Sequence, residues 1–458
     1  MVFFNKVKKL HFVGIGGVGM SGIAEVLLNL GYTVSGSDLK ASEITQRLSS
    51  LGAKIKIGHK GENVGEADAV VISSAVKNAN PEVGFARQRK IPVIRRAEML
   101  AELMRLKFSV GVAGTHGKTT VTSLIGHLLT EAGLDPTIIV GGRVLSLGTN
   151  AVLGGGDFLI AEADEFDRSF LRLYPSVAVI TNLEPEHLDC YRDLEELQEA
   201  FLEFANRVPF YGRVVLCLDE ENLQPLVPKL ERSLLTYGLV PNTDLRAEKL
   251  SFKENTSSFK VSFQQKDVGE FSLGIPGEHN VKNALAALAV AYELGVSFEI
   301  CRKALANYRG VGRRFEFKGA ARGISVYDDY AHHPTEVIAT LKAARSGWDK
   351  RLVAVFQPHL YSRTRDFYLD FGKSFFLAEV LVITDIYPAR EEPIPGVSAE
   401  LIVKAARDYG HKQVHYLPRK EEVVPFLKKM LTPGDMVITM GAGDVTRLSD
   451  ELVEQLKK

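Results

Sequence analysis

The amino-acid sequence predicts an α/β protein with three domains in series, each containing a mainly parallel sheet. The chain of 458 residues is too long for one hydrophobic core, because a domain usually takes about 100 to 200 residues. Short apolar runs alternate with amphipathic stretches, as expected for parallel strands joined by crossover helices. The alternation starts afresh near residues 107 and 309. We therefore predict domains over 1–106, 107–308 and 309–458.

Each predicted domain has its own series of strands and helices. In the first domain the predicted strands are 10–14, 33–38, 69–73 and 91–94, and the helices are 21–30 and 44–51. In the second domain the strands are 108–113, 157–161, 177–181 and 214–218, and the helices are 121–129 and 284–294. Within 245–273 the segment 259–263 alternates apolar and polar residues, which predicts an antiparallel ribbon. In the third domain we predict strands 324–328, 352–356, 380–384 and 436–440 and helix 337–344.

The composition is that of an ordinary globular protein and excludes several classes of function. Lys plus Arg equals Asp plus Glu at 56 each, so no net charge favours nucleic acid or an anionic membrane. Three widely separated cysteines, Cys190, Cys217 and Cys301, predict neither a disulfide framework nor a zinc site, and fit a cytoplasmic location. The sequence has no apolar run of about 18 residues, so we expect no membrane insertion.

A glycine-rich loop, Gly114-Thr115-His116-Gly117-Lys118-Thr119, separates a predicted strand from a predicted helix. Glycines let backbone N–H groups surround phosphate oxygens at a helix N-terminus, while Lys and a hydroxyl supply charge and a Mg²⁺ ligand. The match to G-x-x-x-x-G-K-[ST] is incomplete, because Val112 stands where the first Gly belongs. Taken alone, this segment fits a phosphate-binding loop and a simple glycine-rich turn equally well.

A second glycine-rich segment, Gly14 to Gly19, follows the first predicted strand, and Asp38 ends the next strand. This G-x-G-x-x-G pattern with a later acidic residue is typical of dinucleotide-binding domains. It predicts a ligand with a pyrophosphate and a ribose, without choosing between NAD and a UDP-sugar. The alternative is that small residues only allow the strand and helix to pack closely.

Two acidic segments, Glu162 to Asp167 and Asn182 to Asp189, follow strands of the second domain. Mg²⁺ bound to a nucleotide usually takes one or two carboxylate ligands. Either segment alone also fits a solvated acidic turn. Because both segments should lie at the sheet edge that carries Gly114 to Thr119, we predict a metal site there.

Three further polar segments are candidates for ligand contacts. Asn280 and Asn283 lie one turn apart before an Ala-rich stretch, where they could contact a base edge or cap the helix. In the third domain, Tyr327 to Pro334 and Gln357 to Arg365 follow strands and carry His and Arg residues. These two segments predict a site for a substrate that bears a carboxylate.

Together these segments resemble the Mur ligases of peptidoglycan assembly, and the resemblance runs essentially end to end. Its landmarks are the segments 114–119, 162–170, 182–189, 278–283, 310–315, 328–336, 357–365 and 384–397. The shortened glycine-rich loop is the form that this family uses. The resemblance implies a Rossmann-like first domain that binds a UDP-sugar and a P-loop ATPase-like central domain. It also implies a Rossmann-like C-terminal domain that closes over ATP and the amino acid.

The resemblance also implies roles for individual residues. ATP would contact Gly114, Thr115, His116, Gly117, Lys118, Thr119, Thr120, Asn280, Asn283, Arg314 and Asp328. The UDP-sugar would contact Gly16, Gly17, Val18, Gly19, Asp38, Ser73 and Ser74. The amino acid would contact Tyr330, His332, His359 and Arg363, and the metal ligands would be Thr119, Glu162 and His187. Lys118, His187, His332 and Arg363 would act in catalysis, although histidine is an unusual ligand for a hard cation.

The implied activity is an ATP-dependent amide-bond ligase. It would join L-alanine to the lactyl carboxylate of UDP-N-acetylmuramate through an acyl phosphate, yielding UDP-N-acetylmuramoyl-L-alanine, ADP and phosphate. The product would enter peptidoglycan synthesis and so serve cell shape and division. We further expect the enzyme to use Mg²⁺, with Mn²⁺ as a possible substitute. We also expect no nucleic-acid partner, and a monomer or homodimer.

Two features bear on the position of this activity within the family. Related ligases that add later residues usually carry a carbamylated Lys after the equivalent of His187, yet 187–207 contains no Lys. This favours the first, alanine-adding step, while Leu360 stands where some relatives have a basic residue. The alternatives are an NAD-dependent dehydrogenase, a non-catalytic sensor of nucleotide or cell-wall precursor, and a recycling ligase that attaches a ready-made tripeptide to the same sugar.

Overall fold

The computed structural model describes residues 7–144, 149–185, 190–389 and 391–458. The chain divides into two compact units. The first unit comprises Met1–Glu248, Lys260–Phe271 and Lys282–Tyr308, and the second comprises Lys249–Phe259, Ser272–Val281 and Arg309–Lys458. Among the described helices, none combines the length and the hydrophobicity needed to span a bilayer.

The first sheet is parallel and confirms the predicted α/β alternation. Its strands are β1 (Lys9–Val13), β2 (Thr33–Asp38), β3 (Lys54–Ile57), β4 (Ala69–Ile72) and β5 (Val93–Arg95). Its helices are α1 (Val18–Asn29), α2 (Glu43–Ser50), α3 (Pro81–Gln88) and α4 (Arg96–Met104). The strand order is β3-β2-β1-β4-β5. Strands β2 and β3 are therefore added on one side of β1, and β4 and β5 on the other. The loops that follow β1 and β4 therefore border the crevice where such sheets bind ligands.

The second sheet has ten strands and contains the glycine-rich loop Gly114 to Thr119. Its first five strands are β6 (Phe108–Ala113), β7 (Thr137–Val144), β8 (Thr149–Val152), β9 (Phe158–Glu162) and β10 (Val177–Ile180). The other five are β11 (Arg213–Cys217), β12 (Leu234–Gly238), β13 (Leu245–Lys253), β14 (Thr256–Phe263) and β15 (Lys266–Leu273). The helices are α5 (Lys118–Glu131), α6 (Leu194–Asn206), α7 (Glu278–Glu293) and α8 (Phe298–Asn307). The order β15-β14-β13-β12-β11-β10-β6-β9-β7-β8 places β6 between β9 and β10, and both pairings are parallel.

The alternation predicted within 259–263 is visible in the burial of β14. Ser257, Phe259 and Val261 are buried, whereas Thr256 and Ser258 are exposed and Lys260 and Ser262 are half-buried. One face of the strand is therefore covered and the other faces solvent, as the two-residue period requires.

The third sheet belongs to the second unit and has six strands. They are β16 (Glu316–Ala321), β17 (Ile324–Asp329), β18 (Leu352–Phe356), β19 (Val380–Ile383), β20 (Val414–Tyr416) and β21 (Met436–Met440). The helices are α9 (Pro334–Gly347), α10 (Tyr361–Ser374), α11 (Glu400–Asp408), α12 (Val423–Met430) and α13 (Thr446–Lys457). The order is β16-β17-β21-β18-β19-β20, and only β16 runs antiparallel to its neighbour. Leu352, Ala354 and Phe356 enter one hydrophobic cluster and Val353 and Val355 the other, so helices cover both faces of this sheet.

A fully buried carboxylate, Glu82 of α3, connects β2 to the segment that follows β3. The Ser37 hydroxyl donates to Glu82 Oε2 at 2.6 Å, and the Asn63 amide donates to Oε1 at 2.7 Å. The backbone N–H of Lys60 donates to Oε1 at 3.3 Å. These donors hold the carboxyl end of β2 in place beside Asp38.

The donors around Glu82 determine its ionisation. Burial raises the pKa of this carboxyl, but the nearby His11 and the hydrogen bonds from Ser37 and Asn63 outweigh burial and lower the pKa to about 2. His11 Nε2 and His59 Nδ1 face the same carboxylate at 3.6 Å and 3.5 Å. Glu82 thus stays ionised inside the domain because its neighbours are donors.

We predict that Glu82→Gln destabilises the protein at pH 7 and does so much less at pH 3. A carboxyl whose pKa falls from 4.5 to about 2 on folding contributes stability above pH 4.5, and this is lost as the pH falls towards 2. The expected loss is about 3 kcal/mol at neutral pH and less than half of that at pH 3. Urea unfolding of the wild-type protein and of Glu82→Gln at pH 7 and pH 3 measures this loss of stability. The exposed Glu66→Gln should change stability little at either pH, and an equal loss for Glu82→Gln at both would contradict this account.

Candidate functional site

The glycine-rich loop Gly114 to Thr119 joins β6 to α5 at the carboxyl edge of the second sheet. Gly114 has φ +136° and Gly117, which caps α5, has φ +81°, and both values favour glycine. A Cβ on Gly114 would lie 2.0 Å from Thr181 Oγ1. The backbone can therefore curve at this helix N-terminus only without a side chain at position 114, as expected for a phosphate-binding loop.

The segment after β10 holds the glycine-rich loop in shape. Thr181 Oγ1 donates to His116 O at 2.6 Å, and the His116 N–H donates to Asn182 Oδ1 at 2.7 Å. The Glu184 N–H donates to Thr115 Oγ1 at 2.9 Å. The loop is thus preorganised by protein contacts, and the His116 N–H is directed to Asn182.

Lys118, the residue predicted to hold phosphates, forms an ion pair with Glu165. Its Nζ lies 2.8 Å and 3.0 Å from the two carboxylate oxygens of Glu165, 2.5 Å from Gly114 O and 3.2 Å from Thr115 O. Glu165 is buried, and Tyr191 donates its hydroxyl to the Glu165 backbone oxygen at 2.7 Å. Burial raises the pKa of Glu165 to about 7, although the positive charge of Lys118 opposes this shift.

One of the predicted metal ligands, Thr119, is the last residue of the glycine-rich loop, and a second, Glu162, ends a neighbouring strand. Thr119 lies in the first turn of α5, directly after Lys118. Glu162 ends β9, and its Cα is the register partner of Val112 on β6. A hydroxyl and a half-buried carboxylate beside a phosphate-type loop are oxygen ligands of the kind that Mg²⁺ prefers. His187, the third predicted ligand, lies outside the described residues.

Asn280 and Asn283 lie one turn apart at the start of α7 and are both buried. The Asn280 side chain donates to Pro276 O at 2.6 Å, so part of its amide serves its own turn. In the first unit, Asn283 lies against the glycine-rich loop, because a Cβ on Gly117 would be 2.7 Å from Asn283 Oδ1. Asn283 is thus beside the glycine-rich loop. Thr120, another predicted contact, is a buried residue of α5.

The predicted UDP-sugar residues meet at the carboxyl edge of the first sheet. Asp38 accepts a hydrogen bond from the Gly16 N–H at 2.8 Å, and Ser37 O accepts from the N–H groups of Gly14 and Ile15 at 2.8 Å and 3.0 Å. A Cβ on Gly16 would lie 2.8 Å from Asp38 Oδ2. The acidic residue thus fixes the loop that precedes α1. Of the other predicted contacts, Gly17 and Val18 begin that helix, Gly19 follows, and Ser73 and Ser74 come directly after β4.

Four predicted amino-acid contacts lie together within the second unit. The Tyr330 and His332 ring centroids are 5.2 Å apart, and those of His332 and His359 are 5.7 Å apart. Arg363 NH1 lies 3.4 Å from His359 Nδ1. These side chains follow β17 and β18, as the sequence pattern indicates, and they combine aromatic, imidazole and guanidinium groups.

Arg314 and Asp328, both predicted to contact ATP, do not pair with each other. The Arg314 guanidinium stacks 5.1 Å from the Tyr330 ring centroid and lies 3.4 Å from a carboxylate oxygen of Glu336. Asp328 instead accepts hydrogen bonds from Arg313 Nε at 3.2 Å and from Thr439 Oγ1 at 2.6 Å. Burial raises the pKa of Asp328 against these donors.

Leu360 has a backbone conformation that few residues with a side chain adopt. Its φ is +69°, in the left-handed region. The Leu360 N–H donates to Tyr387 O at 3.0 Å, and Leu360 O accepts from Thr364 Oγ1 at 2.9 Å. The strained residue lies between His359 and Arg363 in sequence and sets the direction in which α10 begins.

The comparisons with known proteins agree along the whole chain. Residues 9–108 match the Mur ligase family catalytic domain, 112–291 the Mur ligase middle domain and 313–443 the Mur ligase glutamate ligase domain. A UDP-N-acetylmuramate–L-alanine ligase of Geotalea daltonii is 52% identical over 455 residues, which is 99% of each chain. The chain belongs to the Mur ligase family. A second ligase of the same name, from Geotalea uraniireducens, is 53% identical over 454 residues.

Solved structures of Mur ligases have the same fold. The UDP-N-acetylmuramate–alanine ligase MurC of Thermotoga maritima is 30% identical, with a TM-score of 0.84 over 98% of both chains. A murein peptide ligase of Psychrobacter arcticus is 25% identical, with a TM-score of 0.73 over 98% of this chain and 99% of that one. The likeness confirms the predicted three-domain α/β architecture with mainly parallel sheets.

The structure of this Mur ligase adds three charged residues that the sequence analysis did not single out. Glu165 contacts Lys118, and Arg313 contacts Asp328. Arg96 NH2 lies 3.6 Å from Asp164, and a Cβ on Gly19 would lie 3.0 Å from Arg96 NH1. Glu165 could have been found from its position in the acidic segment 162–167. Arg313 could have been found because it is adjacent to Arg314. For Arg96 the sequence offers no signal, because its contacts come from segments distant in the chain.

We predict that Gly114→Ala distorts the phosphate loop of this Mur ligase. The added methyl would overlap Thr181 Oγ1, 2.0 Å away, in a backbone region that L-residues avoid. Stability should fall by about 1–3 kcal/mol and the affinity for ADP by about tenfold or more.

The control is Gly133→Ala, just after α5. Gly133 has φ +75°, and a Cβ there meets nothing within 4 Å. The substitution Gly133→Ala should lower the free energy of unfolding by about 1 kcal/mol without changing ADP affinity. Calorimetry on the purified variants measures both effects, and wild-type ADP affinity in Gly114→Ala would exclude the steric role of Gly114.

Proposed function

We propose that this Mur ligase joins L-alanine to the lactyl carboxylate of UDP-N-acetylmuramate with hydrolysis of ATP to ADP and phosphate. The observation that carries the proposal is its full-length identity of 52–53% to ligases named for that reaction. The phosphate-type loop with Lys118, and the His and Arg cluster after β17 and β18, supply chemistry that such a reaction needs.

The proposed division of labour follows the three sheets. Residues 1–106 would bind the UDP-sugar through Gly16 to Gly19, Asp38, Ser73 and Ser74. Residues 107–308 would bind ATP through the loop at 114–119 and Asn283. Residues 309–458 would bind the amino acid. Asn280, Arg314 and Asp328 would supply further ATP contacts.

The proposed reaction has two steps that balance without a redox partner. The substrate carboxylate oxygen attacks the γ-phosphorus and ADP leaves, which gives an acyl phosphate. The alanine amine then attacks the acyl carbon, phosphate leaves, and the nitrogen loses a proton. Lys118 supports the first step by stabilising negative charge on the phosphate oxygens, which is the main source of catalysis in phosphoryl transfer.

His332 has the hydrogen bonding that a general base requires. Its Nδ1 lies 2.9 Å from Tyr330 O and 3.1 Å from Glu336 Oε2. Both neighbours are acceptors, so in the neutral ring the proton belongs on Nδ1 and the lone pair on Nε2. The proposed base is therefore His332 Nε2, which would take the proton from the alanine ammonium. Arg363 and His359 would hold the alanine carboxylate.

Mg²⁺ is the proposed metal ion, with Mn²⁺ as a possible substitute. Thr119 and Glu162 are suitable ligands because they offer oxygen atoms beside the phosphate loop. When bound, the ion would offset the charge repulsion between carboxylate and triphosphate. His187 remains a predicted ligand. A cytoplasmic location and a monomeric or homodimeric state also remain predictions.

The rival functions account for fewer of the observations. An NAD-dependent dehydrogenase uses Gly14 to Gly19 and Asp38, but gives no role to Lys118, Glu162 and the segment 182–189. A non-catalytic sensor could use the same binding residues and would show no alanine-dependent turnover. A ligase for a ready-made peptide shares the fold, yet the murein peptide ligase of P. arcticus is only 25% identical to this chain.

We predict that L-alanine, together with UDP-N-acetylmuramate and ATP, supports release of inorganic phosphate by the purified protein. A ready-made tripeptide that begins with L-alanine should support a rate at least about tenfold lower, because one site cannot fit both amines equally well. Reactions that lack the UDP-sugar or the amine provide the baseline. Equal or faster release with the tripeptide would instead identify a recycling ligase, and no release in any mixture would favour a sensor.

Lys118→Met should lower turnover by at least about a hundredfold, because a charged donor to the phosphates is lost. Binding of UDP should persist, since the predicted UDP contacts lie at the edge of the first sheet. Phosphate release and titration calorimetry with UDP measure the two properties separately. Wild-type turnover would exclude Lys118 from the reaction, and loss of UDP binding would show damage beyond the phosphate loop.

A further inference from the structure

The environment of Lys118 is saturated with acceptors. Within the part of the chain that the structure describes, Gly114 O, Thr115 O and both carboxylate oxygens of Glu165 lie within 3.2 Å of its Nζ. An ammonium group has three N–H donors, so these four acceptors already use all of them. Phosphate oxygens can therefore reach Lys118 only if an existing partner withdraws.

Glu165 is the partner whose withdrawal the charges favour. Gly114 O and Thr115 O belong to the loop that would surround the phosphates, so these carbonyls stay with Lys118. The ionised form of Glu165, which pairs with Lys118, lies in a buried position, where repulsion by a triphosphate is weakly screened. The carboxylate and the phosphates therefore compete for the same ammonium group.

We propose that Glu165 is a positioning residue that holds Lys118 in the glycine-rich loop and releases it to the phosphates when a nucleotide binds. This inference rests on the proposed ATP-dependent function. Tyr191 anchors the Glu165 backbone oxygen at 2.7 Å, so the exchange involves the side chains of Glu165 and Lys118 while the backbone stays in place. The ion pair keeps Lys118 oriented into the loop, at the cost of nucleotide affinity.

The test is the nucleotide affinity of Glu165→Gln, measured by titration calorimetry with ADP in the absence of UDP-sugar and alanine. Gln preserves the size of the side chain and one acceptor for Lys118 but removes the competing charge. The dissociation constant should fall by about tenfold, the size expected for loss of one charge-assisted hydrogen bond. A residue that only supports the fold would leave affinity unchanged or weaken it.

Two further variants identify the cause of a change in affinity. In a Lys118→Met background, Glu165→Gln should alter ADP affinity by less than about twofold, because the competition requires Lys118. Asp164→Asn removes a charge from the same turn, where Asp164 faces Arg96 at 3.6 Å. It should shift ADP affinity by less than about threefold, as expected for a screened charge that does not contact Lys118.

Each outcome decides for or against the exchange. Equal or weaker ADP binding by Glu165→Gln, or the same tightening in Asp164→Asn or without Lys118, would overturn it. If Glu165→Gln does not fold, Glu165→Asp decides, because the shorter side chain withdraws from Lys118 and should tighten ADP binding by a smaller factor. If the wild-type protein binds no ADP or ATP, the proposed function fails instead.

Discussion

The parallel pairing of β6 with both β9 and β10 is the constraint on which the surroundings of the glycine-rich loop Gly114 to Thr119 depend. Val112 is paired with Glu162, and Ala113 is paired with Ile180. Because parallel strands point the same way, the segments that follow these three strands must emerge at one edge. Hydrogen bonds from Thr181 and Asn182 and the Lys118–Glu165 ion pair can form only because of that arrangement. The site is thus a product of sheet register as much as of any motif.

Two buried carboxylates in the first unit show how surroundings decide the state of one chemical group. Glu82 is surrounded by hydroxyl, amide and imidazole donors, so its pKa is lowered to about 2. At Glu165 burial dominates over the opposing charge of Lys118, so the pKa is raised to about 7. Glu82 is therefore a permanent structural anion. Glu165 has a pKa near neutrality even beside Lys118, so its charge is held far less firmly than that of Glu82.

The sequence predicted the buried elements and the positions of the motifs, because both are local signals. The run at 352–356 is wholly apolar and the run at 108–113 contains Ser109 as its one polar residue, and the structure has strands at both places. Strand β3 was missed although Lys54-Ile55-Lys56-Ile57 alternates polar and apolar residues, because the strand has only four residues, lies at a sheet edge and is mostly exposed. Helix α3 was missed since its eight residues contain few apolar positions.

Side-chain partners were much less predictable than strands. Glu162 was singled out in the acidic segment, whereas the contact with Lys118 is made by Glu165. Arg313 and Arg314 are neighbours in sequence, yet only Arg313 pairs with Asp328. Which of two adjacent charged residues makes a contact depends on rotamers and on the packing of distant segments. No sequence pattern encodes those choices directly.

The backbone of Leu360 has a consequence for how amino-acid preference can change in such a protein. Its main-chain N–H donates to Tyr387 O and its main-chain oxygen accepts from Thr364 Oγ1, so these hydrogen bonds accompany the left-handed conformation without using the side chain. Any residue without a β-branch experiences similar strain there, so leucine and a basic residue can replace one another without moving His359 or Arg363. Position 360 can therefore drift in chemistry during evolution while the geometry on either side of it is inherited unchanged.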